Sequence, residues 1–142
     1  MFDPSRDQAR QFFVGAWQKH KNREVLTQLE IIAADLVAHH PEYHALISDP
    51  DGVQKDFSPD DGQINPFLHL SLHLAIEEQL SINQPPGIRE AFEHAQARHG
   101  DRHAALHDVL ECLGETIWKA QRDKAPLDAR AYVDAVRKRA GL

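Results

Sequence analysis

The chain has 142 residues, 42% of them hydrophobic and 27% charged, with a formal net charge of −6. That length can close a hydrophobic core without disulfides or a structural metal, and the composition is that of a folded protein, so global disorder is set aside. The 16 lysines and arginines are scattered apart from Arg137, Lys138 and Arg139, which argues against nucleic acid, and no apolar run approaches the ~18 residues of a membrane span.

Asp3 and Pro4 read as an N-cap and first-turn proline, and Phe13, Ala16, Trp17 and His20 then recur at helical spacing to about Lys21. Val25, Leu29, Ile32, Ala33 and Leu36 carry the same period into a second helix, which Pro41 stops near His40. A short turn with Tyr43 to Ile47 follows. From about 48 to 64 the chain is dense in turn chemistry, including Asp49-Pro50-Asp51-Gly52 and Asp60-Asp61-Gly62, and a long loop is expected there.

Asn65-Pro66 opens a third helix to about Ile82, apolar almost all round and so expected to be central and buried. After Pro85-Pro86-Gly87 a fourth runs from about Ile88 to His99 and is capped by Gly100. Asp101 then caps a fifth reaching about Gln121, and Pro126 and Asp128 introduce a last one ending near Gly141. No alternating strand pattern competes. The expected fold is therefore all-α, a single domain over 1–142 arranged as an up-and-down bundle of about five to six helices.

The unusual feature is histidine, at ten residues, dispersed along the chain and so not a terminal tag. His69, His73 and Glu77 in the third helix, and His103, His107 and Glu111 in the fifth, both read His-x3-His-x3-Glu. Residues four apart share one helix face about 6 Å apart, the spacing that lets two imidazoles reach a common metal. Helical projection sets His69 and His73 among Leu72, Ile76 and Leu80, and His103 and His107 beside Leu106, Leu110, Gly114 and Trp118, so both stripes are expected to face the core.

In an alternating bundle these two helices run parallel, with His69 and His103 both near their N-termini, so the pairs can face each other. His40 and His44 fall at the same end. Glu77 and Glu111, one turn beyond the histidines, either bind a second ion or orient the imidazoles. His20, His39 and His94 are expected to be filler, His99 to complement the dipole at a helix end, and Cys112 to be a packed inert thiol.

Four buried imidazoles need partners, which leaves two readings. In one, His69, His73, His103 and His107 hold a transition metal, zinc or iron by donor type, as one or two ions completed by His40, His44, Glu77 and Glu111. In the other, the histidines form a metal-free hydrogen-bond network in a structural or interaction protein, and His40-Pro41-Glu42-Tyr43-His44 is only a helix-end turn. Walker-type, His-Glu-x2-His and Gly-x-Ser-x-Gly signatures are missing, so no reaction is assigned. A lone cysteine and no export pattern suggest the cytoplasm, and no protein partner is singled out, with a homodimer left open.

His40-Pro41-Glu42-Tyr43-His44, Asn65-Pro66-Phe67-Leu68-His69 through His73 to Glu78-Gln79, Pro86-Gly87-Ile88, and His103 through Arg122 with Leu110-Glu111-Cys112-Leu113 and Trp118 form a set covering nearly the whole chain. In these segments the chain resembles a bacterial family of uncharacterised proteins, the domain-of-unknown-function family numbered eighteen forty-one. The resemblance implies no activity. A weaker likeness is to hemerythrin-like helical bundles, in which His and carboxylate side chains hold two irons. It is one of kind only, because hemerythrins close their set with a final His-x4-Asp and this chain has no comparable terminal pair.

Overall fold

The computed structural model describes residues 4–49, 51–52 and 65–142, with side chains from residue 8 onward. Among these, every regular element is helical: α1 (Pro4–Lys21), α2 (Gln28–Ala38), a 3-10 turn (Pro41–Tyr43), α3 (His44–Ser48), α4 (Pro66–Ile82), α5 (Ile88–His99), α6 (Arg102–Asp123) and α7 (Ala129–Arg139). Seven α-helices exceed the expected five to six, because the short turn after α2 is itself helical. Asp3 and most of the loop expected at 48–64 lie outside the described residues.

The chain divides into two compact units, Met1–Leu74 and Ala75–Leu142, with the boundary inside α4. In the first unit, α1 packs on α2 and α3 around Phe13, Ala16, Trp17, Leu36, Val37, Ile47, Phe67 and Leu70. The start of α2 departs from the apolar period. Thr27 Oγ1 accepts from the Glu30 backbone N–H at 3.2 Å while the Glu30 carboxylate accepts from the Thr27 N–H at 2.9 Å. This capping box satisfies two N–H groups that would otherwise lack partners, so the helix begins at Gln28 and leaves Val25 outside it, 93% exposed.

Lys19 Nζ donates to the same Glu30 carboxylate at 2.9 Å, tying the end of α1 to the start of α2. The backbone N–H of Thr27 and the Lys19 ammonium hold the Glu30 carboxyl below its usual range, against partial desolvation.

In the second unit α5, α6 and α7 pack pairwise, burying Ile88, Phe92, Ala95, Leu106, Val109, Leu113, Tyr132 and Val136. The polar caps fall where turn chemistry places them. Asp101 accepts from the Ala104 N–H and Asp128 from the Ala131 N–H, both at 3.0 Å, and Gly100 closes α5 at φ +70°, a conformation that penalises any Cβ. The C-terminal half of α4 belongs here, and the buried Tyr132 hydroxyl donates to Gln79 Oε1 at 2.6 Å. Burial pushes the Tyr132 phenol well above its usual range.

Two expectations of burial need correction. α4 buries one face, with Phe67, Leu70, His73, Ile76 and Leu80 inside, while Leu68 and Ile82 are exposed. Trp118 is also exposed, its ring covered on one side by the Arg122 guanidinium 4.9 Å from its centroid.

Candidate metal centre

In the first unit three imidazoles gather from two local structures. Asn65 Oδ1 accepts from the N–H groups of Phe67 and Leu68 at 3.0 and 3.1 Å, which fixes the first turn of α4 and puts His69 on it. His73 follows one turn later on the same face and is fully buried, whereas His69 is half-buried.

The third imidazole arrives because Pro41 ends α2. His40 takes a non-helical backbone, φ −125° and ψ 68°, ahead of the 3-10 turn, and its side chain is buried. His40 Nε2 lies 3.3 Å from His73 Nε2, which in turn lies 3.1 Å from His69 Nε2. The three ring centroids are 4.7 to 5.2 Å apart. At its other nitrogen, Nδ1, His40 meets Glu42 Oε1 at 2.6 Å, and the Tyr43 ring stacks on it with centroids 5.0 Å apart and planes at 10°.

Proton bookkeeping limits what this trio can do by itself. A ring nitrogen offers one in-plane direction, used by either a proton or a lone pair. A carboxylate accepts only, so a neutral His40 bonded to Glu42 has its proton on Nδ1 and its lone pair on Nε2, the atom toward His73. The two close Nε2 approaches at His73 then share at most one good hydrogen bond. The same spacing suits a cation, because two nitrogens held at about 2.0–2.1 Å on a tetrahedral ion are about 3.3–3.4 Å apart.

In the second unit His103 and His107 sit one turn apart on α6, half-buried, with ring centroids 4.3 Å apart. Glu77 and Glu111 are each engaged by an arginine. Arg102 grips Glu77 through both guanidinium nitrogens at 2.7 and 2.9 Å, and Arg139 pairs with Glu111. His44 is drawn elsewhere, its Nε2 donating to the Val37 carbonyl at 2.8 Å and its ring lying against Trp17. His99 does more than complement a dipole, because its Nε2 meets Asp108 Oδ2 at 2.5 Å. His20, His39 and His94 are exposed. Cys112 is buried, and burial raises its thiol, as an inert packed cysteine requires.

Sequence reasoning passed over Glu42 as a partner of His40, although it lies only two residues away. Arg102 and Arg139 gave no local signal, since each pairs with a carboxylate 25 or 28 residues distant.

Residues 5–138 match the family described as domain of unknown function DUF1841, and the chain belongs to that family. No curated protein and no solved structure matches it. The weaker likeness to hemerythrins finds no support in this match.

Proposed function

We propose that this member of the DUF1841 family binds a transition-metal ion through His40, His69 and His73 of the first unit. The observation that carries the reading is the convergence of three Nε2 atoms at 3.1 and 3.3 Å, more approaches than the ring protons can serve and the separation that ligands of one ion adopt. Glu77 and Glu111 are placed outside the ligand set, since each is already neutralised by an arginine. His44 is omitted because its Nε2 is committed to a backbone carbonyl.

Imidazole donors select zinc or iron over magnesium or calcium. Three imidazole nitrogens leave a position of a zinc or iron shell for water or substrate. The single buried cysteine fits a reducing compartment such as the cytoplasm, and no described helix is long and apolar enough to cross a membrane.

The test is elemental analysis of untagged protein purified without added metal, followed by melting with and without zinc or ferrous iron. Near-stoichiometric metal and a rise in melting temperature are expected, and His73→Ala should abolish both. Trace metal together with unchanged melting would leave the metal-free histidine network as the better account.

A further inference from the structure

The His40-to-Tyr43 turn places one carboxylate and one aromatic ring around a single imidazole of the trio. Glu42 Oε1 approaches His40 Nδ1 at 2.6 Å, a charge-assisted length, although the two side chains differ sharply in exposure, 6% for His40 against 57% for Glu42. Glu42 therefore reaches inward from the surface to the one ring nitrogen of His40 that faces away from His73. Tyr43, whose backbone N–H donates to the His40 carbonyl at 2.9 Å, covers one ring face and meets His69 edge-on with centroids 5.9 Å apart. The ring is thus fixed at its face by stacking and at its edge by an anion.

An imidazole free to choose populates both tautomers, and one of them would turn an Nε2–H toward His73 and block ligation there. Resting on the metal reading above, we infer that Glu42 is a positioning residue: it holds the His40 proton on Nδ1 and so reserves Nε2, the atom 3.3 Å from His73, as the metal donor. The proline between them has a part in this. Pro41 breaks α2 and fixes its own φ, so that Glu42, two residues after His40, folds back beside the His40 ring; continued helix would put residues two apart on different faces. His-Pro-Glu is therefore a compact donor module, one ligand and its orienting anion within three residues.

Three proteins are compared: the wild type, Glu42→Ala and Glu42→Gln, whose amide oxygen still accepts from Nδ1–H without the charge. Two readouts are taken on each: the nitrogen-15 shifts of His40 in metal-free protein, which report the tautomer, and zinc affinity by competition with a chromophoric chelator. The wild type should show a protonated Nδ1 and bare Nε2. Glu42→Ala should lose that preference and bind zinc about 10- to 100-fold more weakly, the usual effect of removing an orienting carboxylate, with Glu42→Gln between the two on affinity and close to wild type on tautomer. An unchanged tautomer in Glu42→Ala would overturn the inference. So would a wild-type tautomer with the proton on Nε2. If no variant binds zinc and the tautomer still shifts, the metal reading fails while the role of Glu42 in setting the tautomer stands.

Discussion

Helices α4 and α6 carry the same nine-residue pattern, His-x3-His-x3-Glu, whose histidines fall in the first unit on α4 and in the second on α6, in different surroundings. In the first, His69 and His73 are joined by a third imidazole delivered from a proline-broken helix end, and His73 is fully buried. In the second, His103 and His107 lie one turn apart and half-buried on a helix whose carboxylates Asp108 and Glu111 both meet Arg139. The glutamates ending the two patterns share one fate, since an arginine takes each of them. A ligand-like motif thus reports the helix face it lies on and not the number of donors around it, which depends on what the rest of the chain brings.

The largest expected effect falls on the histidine trio of the first unit. His73→Ala removes the nitrogen that both His40 and His69 approach, and should weaken zinc binding by about 100-fold or more, roughly 2.7 kcal/mol.

Stability probes then compare the units through one hydrogen-bonded side chain in each. Thr27→Ala in the first unit removes half of the capping box and should destabilise the fold by about 1 kcal/mol in urea unfolding. Tyr132→Phe in the second unit strands Gln79 Oε1 and should cost about 0.5–1.5 kcal/mol, measured in the same way.

Acid should act on the first unit through Glu30. Its carboxyl is held low by the Thr27 N–H and Lys19, so its contribution is fully present above the ordinary carboxylate range of about 4 and is lost as pH falls through its lower folded value. Melting temperature followed from pH 6 to pH 2 should therefore fall less steeply in Glu30→Gln than in the wild type. The smallest effect is expected at the half-exposed Arg102, whose replacement by Ala should change stability by less than about 1 kcal/mol despite its two-pronged grip on Glu77.

Local rules made much of the architecture legible. Asn65, Asp101 and Asp128 mark helix starts because an unpaired backbone N–H needs an acceptor wherever the chain folds, and Gly100 marks an end because its backbone is left-handed. Thr27 with Glu30 was equally readable, and the apolar period through Val25 misled because a capping box outweighs one exposed valine. The exposed Leu68, Ile82 and Trp118 were not readable, since which side of a largely apolar helix is covered depends on its neighbours.

By itself the sequence determined an all-helical chain, the family to which it belongs, and two imidazole pairs each set on one face by the 3.6-residue period. Only the tertiary structure decided that His40, 33 residues before His73, joins the first pair while His44 turns to Val37, and that Glu77 and Glu111 are spent on arginines. The physical reason is range. Helical periodicity and capping act within a few residues and are written locally, whereas the nitrogen that meets another nitrogen, or the guanidinium that meets a carboxylate, is chosen by packing between segments that no local pattern encodes.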